Sequence, residues 1–165
     1  MAKLLLLVRH GKSDWGNLDL KDFDRPLNKR GKENAPEMAE RLVNKGFKPD
    51  LIVSSPAKRA KSTAKFFAEA YNIDEIKFEE SIYEANTTAL LKVVNHLDDD
   101  AEKVIMFGHN PGFTDFANEL SAADIYNIPT AGMVLISFPF DAWNMVSKGT
   151  GELVFFDYPK NSDEI

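Results

Sequence analysis

An uninterrupted aliphatic run near the start of the chain ends abruptly at two basic residues. Leu4–Val8 is wholly apolar, and Arg9, His10 and Gly11 follow it directly. A short run of this kind is typical of a strand that is buried on both faces, as in a parallel sheet covered by helices. Open α/β sheets bind their ligands at the carboxyl ends of such strands, where Arg9 and His10 are expected. Gly11 would allow a sharp turn there and bring main-chain N–H groups close to an anion.

The length and composition predict one globular domain over residues 1–165. The chain of 165 residues is 44% hydrophobic and 28% charged, values that are typical of a soluble domain with a real core. No apolar stretch approaches the roughly 20 residues of a membrane helix, and the N-terminal run has no cleavage site of a signal peptide. We therefore expect no membrane partner and a cytoplasmic location. The absence of cysteine excludes disulfides, zinc–thiolate sites and cysteine nucleophiles.

The net charge of −6 argues against non-specific binding to nucleic acid, so no nucleic-acid partner is expected. If the substrate is an anion, a local basic cluster has to overcome this acidic background.

Further along the chain, predicted strands and helices alternate. Short apolar runs predict strands near 51–55, 76–79, 103–108, 132–138 and 152–157. Apolar residues at helical spacing predict helices that end near 46 and 71, one that ends near 97, and one over 112–120. Pro36 is expected to kink the first helix or to begin it, Pro56 to begin the second, and Thr87 or Thr88 to cap the third. The last two strands are expected to pair antiparallel. This order predicts a three-layer α/β/α sandwich with a central, mostly parallel sheet.

The polar stretch over residues 12–28 is long for a connection in a compact domain. Loops of this length are often lids or binding loops. The alternative is a surface loop that Trp15 and Phe23 hold against the core.

Two of the three histidines, His10 and His109, directly follow predicted buried strands. If those strands are parallel neighbours, both imidazoles meet at one edge of the sheet, where Arg9 and Arg59 would join them. The third, His96, lies within a predicted helix and is interpreted as a surface residue.

Two guanidinium groups and two imidazoles form a pocket suited to a dianionic tetrahedral group. The planar fork of arginine binds phosphate oxygens in a bidentate manner. A neutral imidazole can attack phosphorus and form a covalent intermediate that water later hydrolyses. Metal binding is less well supported, because the chain has no paired histidine–carboxylate spacing and two arginines would repel a cation. No metal or cofactor is expected.

Three motifs resemble those of the histidine phosphatase superfamily, the group that includes phosphoglycerate mutase-like enzymes. They are Val8-Arg9-His10-Gly11, the Ser54-Ser55-Pro56-x-x-Arg59 segment with Thr63, and Gly108-His109-Asn110-Pro111. Arg25-Pro26-Leu27 and the His-Asn-Pro-Gly form are most similar to the SixA-type phosphohistidine phosphatase branch. The resemblance covers residues 3 to 120 and implies a phosphoglycerate mutase-like fold.

The resemblance implies a phosphatase that works through a phosphohistidine enzyme intermediate. His10 would be the nucleophile, and Arg9, Arg59 and His109 would hold the phosphoryl oxygens. Gly11, Ser13 and Asn17 are further candidates for substrate binding. Many relatives that cleave phosphoesters have asparagine at the position of Gly16, whereas here Asn17 comes one residue later.

Glu84 is the candidate general acid, since it lies about where mutase-like relatives carry one. An alkoxide leaves poorly unless it is protonated, whereas SixA-type members act on phosphohistidine, whose imidazole leaves more readily. Protein phosphohistidine is therefore the favoured substrate. The alternatives are a phosphatase for a small phosphoester that uses Glu84 as acid, and a non-catalytic domain that binds a phosphorylated ligand.

Overall fold

The fold is described here from a computed structural model, which covers residues 2–160. Met1 and residues 161–165, which belong to the predicted 1–165 domain, lie outside the described residues. The strands are β1 (Lys3–Arg9), β2 (Leu51–Ser54), β3 (Lys77–Phe78), β4 (Lys103–Gly108), β5 (Met133–Phe138) and β6 (Glu152–Asp157). The helices are α1 (Lys29–Asn44), α2 (Lys58–Ala70), α3 (Thr87–Asn95) and α4 (Gly112–Leu120).

The six strands form one mixed sheet in the order β3-β2-β4-β1-β5-β6. The first four strands in this order run parallel to one another, whereas β5 pairs antiparallel with β1 and β6 pairs antiparallel with β5. The predicted mostly parallel sheet and the predicted antiparallel final pair are both confirmed. Strand β1 lies inside the sheet, which explains its unbroken apolar sequence.

Alternate residues of β1 face two separate hydrophobic cores. Leu5 and Leu7 belong to the core on the side of α3 and α4, while Leu6 and Val8 belong to the core that α1 and α2 cover. All four leucine and valine side chains are fully buried. Because successive side chains of a strand point to opposite faces, the sheet separates two helical layers, and the predicted three-layer α/β/α sandwich is confirmed.

The structure corrects three predicted helix starts. Helix α1 begins at Lys29 and runs through Pro36, because the Asn28 side chain accepts a hydrogen bond from the N–H of Gly31 at 2.8 Å and caps an earlier turn. Helix α2 begins at Lys58, two residues after Pro56. The cap of α3 is Asn86, which accepts from the N–H of Ala89, and not either threonine.

None of the helices within residues 2–160 is long and apolar enough to cross a membrane.

Candidate active site

His10 and His109 lie side by side at the carboxyl edge of the sheet. Strands β1 and β4 are parallel neighbours, and Arg9 is in register with Gly108, so the residue that follows each strand occupies the same edge. The centroids of the two imidazole rings are 5.1 Å apart. Both histidines are buried, with exposed surface fractions of 7% for His10 and 8% for His109. The structure thus brings together the two histidines that the strand pattern selects.

Arg59 reaches the same point from the first turn of α2. Its Nε donates a hydrogen bond to Nε2 of His10 at 3.3 Å. Thr63, one turn further along α2, donates to the carbonyl of Arg59 and accepts from the N–H of Gly11. Helix α2 is therefore connected directly to the turn that carries His10, which fixes the arginine against the imidazole.

Hydrogen bonds define the tautomer of His10. Its Nδ1 lies 2.6 Å from the carbonyl oxygen of Gly11, and because a carbonyl can only accept, Nδ1 carries the proton. In the neutral ring Nε2 then has the free lone pair, which is the electron pair that accepts the hydrogen bond from Arg59. A phosphoryl group bound by this guanidinium would lie next to a nitrogen able to attack it.

The environment keeps His10 neutral. Its pKa is lowered from 6.5 to about 4, first by burial and then by the positive charges of Arg59 and Arg9, which together outweigh the opposing effects of the Gly11 hydrogen bond and the Asp22 charge. A neutral imidazole at physiological pH is the form in which a lone pair is available.

His109 is neutral for the same reasons. Burial lowers its pKa to about 3, with added contributions from the neighbouring His10 and Arg59. Its Nε2 lies 2.8 Å from Oγ of Ser55, a hydroxyl that already accepts from the N–H of Ala57. Its Nδ1 is buried and has no hydrogen-bond partner among the described residues.

Arg9 presents a second buried nitrogen without a partner. Its Nη1 donates to the carbonyl of Ile128 at 2.8 Å, which anchors the side chain, whereas Nε is unpaired within residues 2–160. Buried polar atoms are normally hydrogen-bonded, so each exception calls for an explanation. The oxygens of a phosphoryl group would provide acceptors for Arg9 Nε and, in the right tautomer, for His109 Nδ1.

Sequence reasoning missed two residues that contact the site, Asp22 and Tyr83. The Asp22 carboxylate accepts from Nη2 of Arg59 at 3.0 Å and from the Tyr83 hydroxyl at 2.6 Å, and its carbonyl accepts from Nη1 of Arg59. The Tyr83 ring also packs edge-on against His109, with centroids 5.6 Å apart. The one available signal was that Asp22 lies three residues before the Arg25-Pro26-Leu27 group.

Asp22 is ionised in this arrangement. Burial by itself would raise its pKa, but the hydrogen bonds from Tyr83 and Arg59 and the charge of Arg59 outweigh that effect, and the net result is a lowered pKa. Conversely, burial and the bond to Asp22 raise the pKa of Tyr83 to about 12. An ionised carboxylate therefore occupies guanidinium donors that a phosphoryl group would also use.

Gly11, Ser13 and Asn17, the other candidate substrate-binding residues, have different surroundings. Gly11 positions the site, since its N–H and carbonyl are used by Thr63 and His10. Ser13 is half-buried and forms an isolated bridge with Leu27. Asn17 is exposed, and its side chain accepts from the N–H of Asp19. Substrate binding by Ser13 and Asn17 stays a prediction.

Glu84 is exposed and lies next to Tyr83, with a φ of 55°. A non-glycine residue in this left-handed region is uncommon and costs roughly 1 kcal/mol or more. The proximity of Glu84 to Tyr83 places it near the rim of the site, and its role as an acid stays a prediction.

The loop over residues 12–28 folds over one side of the site. Its 3₁₀ turn (Asp22–Asp24) supplies the carboxylate that binds Arg59. Arg25 is buried and stacks on the exposed ring of Trp15, with its guanidinium carbon 3.9 Å from the ring centroid. Phe23 packs edge-on against Tyr83 at 5.2 Å. The loop therefore contributes to the site directly, as a binding loop would.

Across residues 2–160, no three His, Asp or Glu side chains are grouped as a metal site.

Known proteins similar to this chain agree with the site. The family model for the histidine phosphatase superfamily (branch 1) matches residues 5–111. An uncharacterized chloroplastic protein of Arabidopsis thaliana is 30% identical over 153 residues, which are 87% of this chain and 70% of that protein. Phosphoserine phosphatase 1 of Hydrogenobacter thermophilus is 32% identical over 127 residues, or 74% of this chain, and the match spans only 59% of the relative's length.

The structural comparison leads to the same family. The crystal structure of a protein assigned as phosphohistidine phosphatase SixA, from Agrobacterium tumefaciens, superposes with a TM-score of 0.80. It is 26% identical, and the match covers 95% of this chain and 98% of that one. The chain therefore belongs to the histidine phosphatase superfamily and is a hydrolase of the SixA type.

Proposed function

We propose that this protein removes the phosphoryl group from phosphohistidine in a protein, through a phosphorylated His10. The observation that carries the mechanism is the fixed tautomer of His10. Its protonated Nδ1 is bound to the Gly11 carbonyl, and its Nε2 faces Arg59 at 3.3 Å. The lowered pKa of His10, about 4, leaves this nitrogen unprotonated at neutral pH.

In the first step the Nε2 lone pair of His10 forms a bond to phosphorus. The bond between phosphorus and the substrate nitrogen breaks, and its electron pair stays on that nitrogen. The substrate ring leaves as neutral imidazole when its other nitrogen is already protonated. Arg9, Arg59 and His109 would stabilise the charge on the phosphoryl oxygens during transfer.

In the second step a water oxygen attacks the phosphorus of phosphorylated His10. The P–N bond breaks, its electron pair returns to Nε2, and the protons of the water remain with the phosphate that is released. His10 is again neutral, with its Nδ1 proton still bound to Gly11.

The choice of a phosphoramidate over an ester rests on the acid–base groups of the site. The carboxylate in direct contact with Arg59 is Asp22, whose lowered pKa makes it a poor proton donor. A leaving imidazole does not need such a donor, whereas an alkoxide does. The similarity to the SixA structure supports the same choice.

A small phosphoester is the second candidate substrate, with Glu84 as the acid. Its support is the similarity to phosphoserine phosphatase 1 and the position of Glu84 beside Tyr83, which contacts His109. Glu84 would then donate its proton to the leaving alkoxide.

The test compares a phosphohistidine peptide with an alkyl phosphate, phosphoserine, whose leaving alkoxide needs a proton donor, using wild type, His10→Asn and Glu84→Gln. We expect faster turnover of the peptide, loss of all turnover with His10→Asn, and peptide turnover unchanged by Glu84→Gln. Mass spectrometry after acid-free quenching should find one phosphoryl group on the peptide that contains His10. Faster ester hydrolysis that Glu84→Gln abolishes would select the second candidate, and turnover that survives His10→Asn would disprove the covalent mechanism.

A further inference from the structure

The positive charge of this acidic chain is concentrated in one part of the sequence. Residues 9–65 contain fourteen of the 20 Lys and Arg residues and eight of the 26 acidic residues, a net charge of +6 in a chain whose total is −6. The same segment supplies Arg9, His10 and Arg59. The charge is more than the phosphoryl pocket needs, since most of these cations are not in the site.

One group of exposed cations lines grooves beside the first turns of α1. Lys12, Lys29 and Arg30 line one groove, with Glu33 as its acidic member. Lys12 and Arg30 also line a second cavity of about 270 Å³, to which Lys160 contributes as well.

A second group of cations lies across α1, at its interface with α2. Lys32, Lys58 and Lys65 line a cavity of about 330 Å³ together with the apolar Leu27 and Phe66, and Glu69 is its acidic member. We call the two groups together the basic face. It consists of Lys12, Lys29, Arg30, Lys32, Lys58 and Lys65, all of which are exposed. Within residues 2–160, none of the six forms an ion pair at 4.0 Å or less.

Stability does not explain where these cations lie. Lys29 and Arg30 begin α1 and Lys58 begins α2, and the first turn of neither helix contains an acidic residue. Cations at a helix N-terminus oppose the helix dipole and destabilise the helix. They also add to the positive potential at this end of the molecule.

The basic face is directly connected to the catalytic turn. Lys12 comes two residues after His10, and its carbonyl accepts the N–H of Asn28, the cap of α1. Gly31, in the first turn of α1, packs so closely on Gly11 that a Cβ on Gly11 would lie 3.2 Å from its Cα. The first turn of α1 therefore adjoins the turn that carries His10.

We propose that the basic face is a docking surface for an acidic protein that carries the phosphohistidine, with its acidic side chains around the phosphorylated residue. This inference rests on the proposed function. A small substrate would use the phosphoryl pocket alone. The six cations of the basic face lie outside that pocket, on both sides of α1, where a protein substrate could contact them. Their effect would be to raise the association rate of an acidic partner, and salt would screen that effect.

The experiment uses two phosphohistidine peptides of equal length, one flanked by Asp and Glu and one by Asn and Gln. The full chain is compared with Lys29→Glu/Arg30→Glu and with the control Lys92→Glu/Lys148→Glu, which reverses as much charge outside the basic face. Wild type and control should prefer the acidic peptide in kcat/KM by about tenfold or more at low salt. Lys29→Glu/Arg30→Glu should lose this preference and most of its salt dependence, with aryl phosphate hydrolysis unchanged. Acidic first-turn residues favour a helix, so this variant should stay folded.

Equal turnover of the two peptides by wild type, or a preference that survives Lys29→Glu/Arg30→Glu, would overturn the docking surface while leaving the proposed function in place. Binding of the two peptides to His10→Asn, measured by fluorescence anisotropy, tests the docking surface independently of turnover. If wild type hydrolyses aryl phosphate but neither peptide, the proposed function fails, and a binding preference for the acidic peptide that Lys29→Glu/Arg30→Glu removes would still support the docking surface.

Discussion

The Nε of Arg59 donates to Nε2 of His10 at 3.3 Å, so the guanidinium that would hold phosphoryl oxygens contacts the nitrogen that would attack phosphorus. Arg59→Lys keeps the positive charge but loses the planar fork. We expect kcat/KM to fall by about 10²–10³-fold, the loss that is typical when a donor to the transition-state charge is removed. Lys58→Arg changes the exposed residue before it and should retain wild-type activity. A fall of less than about threefold for Arg59→Lys would show that charge alone is sufficient here.

Asp22 and a phosphoryl group would compete for the same arginine. The carboxylate of Asp22 accepts from Arg59 at 3.0 Å and is 45% exposed, so the pair has the modest strength of a partly solvated ion pair. Asp22→Asn should tighten inhibition by inorganic phosphate by roughly twofold to fivefold. Asp24→Asn, in the same 3₁₀ turn, removes an equal charge and should have a smaller effect. Weaker inhibition in Asp22→Asn would mean that the carboxylate helps to position Arg59 for the anion.

The buried imidazoles should make stability depend on pH. Their folded pKa values, about 4 for His10 and about 3 for His109, lie below the ordinary 6.5. As pH falls from 6.5 towards 4, the unfolded chain binds protons that the folded chain does not. The free energy of unfolding therefore decreases as the pH is lowered. The slope is at most about 1.4 kcal/mol per pH unit for each ring.

Urea denaturation at about pH 7 and about pH 5 measures this dependence. Between these two pH values His10→Gln should lose less of its free energy of unfolding than wild type does, because one of the two buried imidazoles is gone. His96→Gln replaces an exposed imidazole and serves as the matched control. An undiminished loss in His10→Gln would show that His10 is not the source of the dependence.

Gly31 allows α1 to pack against the turn after His10. A Cβ at this position would lie 3.0 Å or less from two backbone atoms of Lys12. Alanine has the higher intrinsic helix propensity, by about 1 kcal/mol, but a clash with backbone outweighs it. We expect Gly31→Ala to lower the free energy of unfolding by about 1–3 kcal/mol and to reduce kcat, because the His10 turn has to shift.

Thermal denaturation and aryl phosphate kinetics test this prediction together. Gly16→Ala is the control, since a Cβ there meets only the exposed Asp14 carboxylate. A Gly31→Ala variant as stable and active as wild type would mean that the turn adapts at no cost.

The chain order of strands and motifs was sufficient to predict the fold and the core of the site. The apolar runs of β1 and β4 are typical of strands that are buried on both faces in a covered parallel sheet. Parallel neighbours necessarily end at the same edge, which brings His10 and His109 together. Arg59 follows from the same argument, because it lies in the first turn of the helix that follows β2, the other parallel neighbour of β4.

Local signals were less decisive where two of them competed. Pro36 is a plausible helix start, yet α1 begins seven residues earlier, because the cap at Asn28 and the burial of Gly31 against the His10 turn favour the longer helix. The choice of Asn86 over Thr87 or Thr88 as the cap of α3 is of the same kind, since both asparagine and threonine can accept the hydrogen bond.

Sequence by itself determined which strands are buried and which basic and imidazole groups follow them, because hydrophobic periodicity and residue order are local properties. The tertiary structure made the strands before His10 and His109 parallel neighbours. Only the tertiary structure decided that Asp22 and Tyr83, 61 residues apart, meet at Arg59. It also decided that Gly11 fixes the tautomer of His10 and that the lysines of α1 and α2 border one face. These contacts join loops and helix ends without periodicity, so their partners are set by the packing of the whole chain.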